Sequence, residues 1–231
     1  MPEITSEKSA SQPISVLGVL GDIHAEDTSL EAALAFLDSK GIVDIVSVGD
    51  IVTGPGDANR CCRMLEKRQI PTVRGNHDRW YLRDDMTDLP HFTRRSQMSS
   101  VAEKFLEQLP VSRELQVVGG AAQLCHGFGR HDMAGVLPTE SESAARSNRE
   151  LHELLTYHRY RFVINGHTHH HMVRTFDDMT IINAGTLRRD HQPCLTIIDF
   201  SQAKVNFFKI RNLTEIEPWE EVSLEYWNAI D

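Results

Sequence analysis

The sequence has little of what marks membrane, secreted or disulfide-rich proteins. No stretch comes near the roughly 18 consecutive apolar residues that a membrane-spanning helix needs. The opening MPEITSEKSASQP lacks the basic-then-apolar order of a secretory signal, and the four cysteines form no CxxC pair. We therefore expect a cytoplasmic protein that neither spans a membrane nor depends on disulfide bonds.

Positive charge is also in short supply. Lys and Arg total 24 against 33 Asp and Glu, which gives a formal net charge of −9 without any basic block. This balance argues against binding long nucleic acid through neutralised phosphates. It does not exclude a small anionic substrate, because bulk charge is screened beyond about 10 Å and bound metal ions dominate the field close to them.

The chain is long enough for one large α/β domain, with 231 residues of which 40% are hydrophobic. We expect a flexible tail over residues 1–13 and a single domain over residues 14–231. In the first third of that domain, apolar runs alternate with helical spacing, which is typical of a parallel sheet whose ligands gather at the carboxyl ends of its strands. The predicted strands are 14–20, 42–48 and 71–74, and the predicted helices are 29–40 and 57–68.

The second half of the chain favours antiparallel strands. Gly119 and Gly120 separate two apolar segments, as in a hairpin, and short strands later alternate with turn residues, which predicts a second sheet. Residues 212–231 give only a weak signal. The predicted strands are 114–118, 121–125, 161–164, 172–176, 179–183, 194–200 and 204–210, and the predicted helices are 98–108 and 140–155.

Five short clusters combine Gly with Asp, Asn or His, and each follows a predicted strand. They are GDIH at 21–24, GD at 49–50, GNHD at 75–78, HG at 126–127 and GHTH at 166–169. Within DIH and HTH the two ligand-type residues are two apart, which in extended backbone directs both to one face. The clusters offer carboxylate, amide and imidazole donors, a mixture that suits Mn, Fe, Ni or Zn better than Ca or Mg alone.

Each cluster by itself also has an ordinary structural explanation. Asp50 could cap a turn or a helix, GNHD could form a turn that tolerates positive φ, and His126 could be a hydrogen-bonded core histidine. Taken singly, these explanations are the more common ones. Chance does not readily place five such clusters at the ligand-binding ends of strands, so the set favours a metal site.

The ordered motifs DxH, GD, GNHD, HG and GHxH resemble those of the calcineurin-like metallophosphoesterases. The resemblance covers residues 16–189, and the motif spacing is similar to that of the small bacterial and archaeal phosphodiesterases. It implies a four-layer α/β/β/α sandwich of two mixed sheets flanked by helices. It also implies hydrolysis of a phosphate ester by a hydroxide that bridges two divalent transition metal ions.

The same resemblance assigns roles to individual positions. It implies that Asp50 bridges the two metals and that His77 faces the substrate as a general acid. Arg188 and Arg189 are weaker candidates for phosphate contacts, because they follow NAGTL where family members often have NPGS. The ligands implied for the first metal are Asp22, His24 and His169, and those for the second are Asn76, His126 and His167.

A difference from the Ser/Thr protein phosphatases and a non-catalytic alternative bear on the expected activity. Thr53 and Gly54 stand where the related Ser/Thr protein phosphatases have Asp and Arg in GDxVDRG, which argues against protein dephosphorylation. A small phosphorylated substrate, either a phosphodiester or a phosphomonoester, fits better. The alternative is a non-catalytic protein-binding scaffold, as in the retromer branch of the superfamily, but that branch loses active-site residues that this chain keeps. The sequence leaves the metal, the natural substrate and the oligomeric state open.

Overall fold

The described part of the chain, in a computed structural model, runs from residue 12 to residue 224. Residues 1–11, most of the tail predicted for residues 1–13, lie outside the described residues, as do residues 225–231. No helix in the described range is both long and apolar enough to cross a membrane.

Two five-stranded sheets form the centre of the described chain. The first sheet has the order β10-β9-β8-β1-β2 and the second has the order β3-β4-β5-β7-β6. Both are mixed, since β1 pairs with β2 and β4 with β5 in parallel whereas most other pairs are antiparallel. The strands are β1 Val16–Leu20, β2 Ile45–Ser47, β3 Ser112–Val117, β4 Gly120–Cys125, β5 Phe162–Asn165, β6 His171–Phe176, β7 Met179–Ala184, β8 Cys194–Asp199, β9 Lys204–Arg211 and β10 Glu215–Ser223.

Helices cover the outer face of each sheet, which completes the four layers that the sequence resemblance implies. Side chains of α1, α2 and α4 pack with Leu20, Leu195 and Ile197 of the first sheet. Side chains of α5 and α6 pack with Val163 and Ile181 of the second sheet. The helices are α1 Asp27–Ser39, α2 Ala58–Lys67, α3 Asn76–Arg83, α4 Ser100–Glu107, α5 Glu142–Arg146 and α6 Arg149–Tyr157.

The inner faces of the two sheets share a third apolar cluster. Alternate residues of each strand point to opposite faces. Leu17 and Val19 of β1 therefore face Ile164 and Ile182 of the second sheet, while Leu20 faces the helices. This double burial explains why the central strands are apolar at nearly every position. It also brings the carboxyl ends of β1, β2, β4 and β5 to one edge of the sandwich.

Several local predictions were wrong. The strand expected at 71–74 is only a single bridge between Ser47 and Thr72, and the strand expected at 42–48 shortens to Ile45–Ser47. The helix expected at 140–155 divides into α5 and α6, because the Asn148 side chain accepts the N–H groups of Glu150 and Leu151 and starts a new helix. Helix α3, which begins within GNHD, was not predicted.

The strands in the second half of the chain were expected to form one second sheet, but they are shared between the two sheets. Strands β6 and β7 join the sheet of β3, β4 and β5, whereas β8 and β9 pair beside β1. Strand β10 was missed altogether. It carries Pro218 and four glutamates, and its register with β9 shifts between Pro218 and Glu220. Such a composition is typical of an edge strand and has little hydrophobic alternation.

Truncation of the layer between the sheets tests this architecture. Ile182→Ala removes a fully buried side chain, so the free energy of unfolding should fall by about 2 to 5 kcal/mol. Val43, which is 88% exposed, provides the control. Val43→Ala should change the free energy of unfolding by no more than about 0.5 kcal/mol. Urea unfolding measures both values, and equal losses would contradict the layer assignment.

Candidate metal centre

The seven ligand-type residues meet at the edge where parallel strands end. Asp22 and Asp50 follow β1 and β2, His126 follows β4 directly, and His167 and His169 lie in the loop between β5 and β6. Asn76 is the first residue of α3. Each side chain therefore leaves a buried strand or helix end, and the loops between them are short enough to hold it in place.

The first group comprises Asp22, His24, His169 and Asp50, whose ligand atoms all lie within 4.8 Å of one another. The Nε2 atoms of His24 and His169 are 2.9 Å apart. His169 Nε2 is 3.2 Å from Asp22 Oδ2, and His24 Nε2 is 3.7 Å from Asp50 Oδ2. Four potential ligand atoms, one from each residue, thus point into one small space.

The second group is built around the Asn76 amide oxygen. That oxygen is 2.9 Å from His126 Nε2 and 3.0 Å from His167 Nδ1. His126 Nε2 is also 3.4 Å from Asp50 Oδ2. The Asp50 carboxylate therefore lies between the two groups and contacts both.

The backbone at the ligands adopts left-handed conformations rather than the extended ones that we expected. The φ angles are +47° at His24, +48° at Asp50, +70° at His167 and +61° at His169. Each such residue costs on the order of 1 to 3 kcal/mol and persists only where the surroundings enforce it. The expectation of extended DxH and HxH segments was therefore wrong, although the side chains still converge.

Hydrogen bonds between the motifs enforce this geometry. The Asp50 carbonyl accepts the N–H groups of Ile23 and His24 at 3.0 and 2.7 Å. The Asp78 carboxylate accepts N–H groups from Ile51 at 2.8 Å and Gly75 at 3.0 Å, which ties the GD motif to GNHD. Asp78 therefore stabilises the backbone of the two motifs and belongs to neither group of ligand-type side chains.

Two histidines are oriented by backbone carbonyl groups. His24 Nδ1 is 2.9 Å from the Thr53 oxygen, and His126 Nδ1 is 2.8 Å from the Val48 oxygen. A carbonyl only accepts, so each Nδ1 carries a proton and each Nε2 faces the site, where its lone pair is available to a metal once no proton occupies it. This is the usual arrangement of a metal-binding histidine.

The electrostatics of the site indicate a deficit of positive charge. Burial lowers the pKa of His24 to about 4 and that of His169 to about 2, so both are neutral near pH 7. Burial raises the pKa of Asp22 to about 8. Burial alone would lower the pKa of His126, yet the carboxylates of Asp50 and Asp22 raise it to about 10. Asp22 and His126 therefore hold protons that a bound cation would replace.

The residues therefore fit a divalent metal. Asp22 Oδ2 is buried without a hydrogen-bond donor, although it lies 3.2 Å from a neutral imidazole nitrogen. Two facing lone pairs at that distance repel unless a proton or a metal cation lies between them. The donor set of carboxylate, imidazole and amide groups is the one that first-row transition metals accept.

His77 lies beside the ligands without joining either group. Its Nε2 is 4.0 Å from Asp50 Oδ2, and its backbone N–H donates to Asp50 Oδ1 at 2.8 Å. The ring makes edge contacts with His24 and Trp80. The side chain retains 14% exposure, so one edge of it reaches the surface of the site.

The two arginines predicted as anion contacts have different surroundings. Arg188 pairs with Asp190 at 2.7 and 3.0 Å, and its charge contributes to lowering the pKa values of His24 and His77, so it lies close to the centre. Arg189 instead forms a two-pronged ion pair with the fully buried Glu26. Its guanidinium is thus held by the protein itself.

Two contributors were missed at the sequence level. Glu26 anchors Arg189, and His191 contacts the ligand His169. Glu26 lies two residues after His24, outside the five motifs, and its carboxylate accepts hydrogen bonds from the Arg189 guanidinium. His191 lies well beyond the last motif, and its partner emerges only from the folded chain.

Glycines at two ligands leave no room for a side chain. A Cβ on Gly75 would lie 2.1 Å from Asp50 Oδ1, and one on Gly166 would lie 2.2 Å from Asp22 Oδ1. These contacts are far below van der Waals separation. The glycine in GNHD and the glycine in GHTH are therefore spatial requirements of the carboxylates beside them.

Comparisons with known proteins point in one direction. The model of the calcineurin-like phosphoesterase superfamily domain matches residues 16–203. The uncharacterized protein MJ0912 of Methanocaldococcus jannaschii is 27% identical over 126 residues, and the match spans 51% of this chain and about half, 51%, of that protein.

Solved structures of low identity share the fold. A metallophosphoesterase from Sphaerobacter thermophilus aligns with a TM-score of 0.64 and 22% identity over 87% of this chain and 89% of its own. Vacuolar protein sorting 29 from Cryptosporidium parvum aligns with a TM-score of 0.54 and 15% identity over 92% of this chain and 100% of its own. The architecture alone therefore does not separate an enzyme from a sorting protein.

Substitution of one glycine tests the metal-binding geometry. Gly75→Ala should displace the Asp50 carboxylate and weaken Mn²⁺ binding by roughly 10- to 100-fold, as loss of supporting contacts around a metal typically does. Gly41→Asn is the control, because Gly41 has φ +70°, which Asn tolerates, and no atom lies within 4 Å of its added Cβ. Calorimetric titration with Mn²⁺ measures both, and unchanged binding in Gly75→Ala would contradict the role of Asp50.

Proposed function

Because this chain belongs to the calcineurin-like phosphoesterase superfamily, we propose that it is a metal-dependent hydrolase that cleaves a phosphodiester or a small phosphomonoester. The observation that supports this most strongly is the convergence of two ligand groups on Asp50, each within contact distance of its carboxylate. A single shared carboxylate between two such groups is suited to a dinuclear site.

Each group would hold one cation. Asp22, His24 and His169 would bind the first, Asn76, His126 and His167 the second, and Asp50 would bridge them. Two divalent ions, drawn from Mn, Fe, Ni or Zn, would supply Lewis acidity toward the phosphoryl oxygens and an activated water. The local charge then attracts a phosphate although the chain carries a net charge of −9.

His77 is the proposed general acid. It lies next to Asp50 but outside both ligand groups, and its side chain is 14% exposed, so part of the ring is accessible. From there an imidazole can donate a proton to the leaving oxygen as its bond to phosphorus breaks, a contribution of typically about 10²- to 10⁴-fold. Contact with Trp80 restricts the orientation of the ring.

Arg188 is the proposed phosphate contact. Asp190 fixes its guanidinium in a planar two-pronged pair, which leaves further N–H donors for an anion. Arg189 is less suited to that task, since both its guanidinium and its backbone N–H already donate hydrogen bonds to the Glu26 carboxylate.

The scaffold alternative rests on the fold that this chain shares with vacuolar protein sorting 29. Retention of both complete ligand groups and of His77 favours catalysis. A scaffold has no need to bury two carboxylates among four imidazoles, because such burial costs free energy without a cation.

The basic activity can be tested with bis-p-nitrophenyl phosphate. Turnover should require Mn²⁺ or a similar ion and should stop when a chelator removes it. Asp50→Asn should lose metal together with activity, by more than the roughly 10- to 100-fold that loss of an outer partner costs. Asp44→Asn, at the opposite and exposed end of β2, is the matched control. Absence of turnover with every metal would favour the scaffold.

The role of His77 can be tested with leaving groups of different basicity. His77→Gln should leave metal content unchanged and lower kcat by about 10²- to 10⁴-fold for an alkyl leaving group, which needs a proton to depart. Nitrophenolate departs without one, so its release should fall much less. His152→Gln, on the exposed side of α6, is the control. Equal losses for both leaving groups would contradict general acid catalysis by His77.

A further inference from the structure

Residues Arg188 to His191 form a turn that lies against the candidate metal centre. The His191 N–H donates to the Arg188 oxygen at 3.1 Å and closes the turn. The buried Glu26 holds the Arg189 side chain, while the Leu187 N–H donates to the Asp22 oxygen at 2.8 Å. The turn is therefore fixed to the segment that carries Asp22 and His24.

His191 uses this position to contact a ligand. Its Nδ1 lies 3.0 Å from Nδ1 of His169, and the ring centroids are 4.6 Å apart. The other ring nitrogen of His169, Nε2, faces Asp22 and His24 at 3.2 and 2.9 Å. One nitrogen of His169 thus points to the metal centre and the other to His191.

The 3.0 Å separation requires one proton between the two Nδ1 atoms. We propose that His191 is a positioning residue, whose Nδ1 lone pair accepts the Nδ1–H of His169 and so keeps the Nε2 lone pair of His169 directed at the first metal. The inference rests on the proposed metal centre. It assigns the proton of His191 to its own Nε2.

This arrangement differs from that of the other oriented ligands. Backbone carbonyl groups of Thr53 and Val48 hold His24 and His126, and substitution cannot remove them. His169 depends on a side chain instead.

Metal titration of two variants separates hydrogen bonding from mere packing. His191→Leu should weaken one binding step by roughly 10- to 100-fold, the typical effect of losing the partner of a ligating histidine. That step should be the one that His24→Ala also weakens, and the other step should stay unchanged. His191→Asn should restore most of the affinity, because the Asn oxygen occupies nearly the position of Nδ1 and can accept the same proton. His170→Leu, which alters an exposed neighbour of the ligand, is the control.

The tautomers provide a second readout that is independent of activity. In protein loaded with diamagnetic Zn²⁺ and labelled with ¹⁵N-histidine, His169 should carry its proton on Nδ1 and His191 on Nε2. A proton on Nδ1 of His191 would overturn the inference, as would His191→Leu with both affinities intact. A wild-type protein that binds no metal would instead refute the proposed function.

Discussion

The Asp50 carboxylate is the interaction on which the rest of the site depends. Its Oδ2 lies 3.4 to 4.0 Å from nitrogen atoms of His24, His77 and His126, and it has almost no exposure to solvent. In the interior such a carboxylate is expensive to keep ionised unless positive charge surrounds it. The positions of these imidazoles, the buried support from Asp78 and the missing side chain of Gly75 all help to place this one group.

The apolar core of the protein offsets the free-energy cost of burying Asp50. Three apolar layers hold the two sheets and their helices, and the carboxyl ends of four central strands form a rigid edge. Short segments at this edge adopt left-handed backbone at four of the seven ligand-type residues. The strain is localised where hydrogen bonds between motifs oppose its release, as is common for functional sites.

Much of the site could be predicted from the sequence because its chemistry is written in short, local motifs. The ligand types and their order identify the family even though Asp22 and His167 lie far apart along the chain. The conformations at these ligands could not be predicted, since left-handed φ values arise from contacts such as that of His24 with the Asp50 carbonyl. The contact between His191 and His169 could not be predicted either, because only the fold brings the two residues together.

The same limit applies to the fold. Strands β1 and β8 have enough apolar residues to be recognised, but their pairing side by side joins segments from opposite halves of the chain. The GNHD segment lacks a hydrophobic repeat, and it becomes helical because the Asp78 carboxylate binds the Gly75 N–H at the start of α3. Asn148 likewise ends one helix by starting another. These are tertiary or capping effects that periodicity does not reveal.

Strand β10 forms an outer border of the first sheet. Pro218 interrupts its row of N–H donors, the register shift bends it, and four glutamates line it. A second strand that approached this border would meet a missing N–H donor and an irregular hydrogen-bond register. The features that hid this strand from sequence patterns therefore also disfavour pairing of another strand along this border.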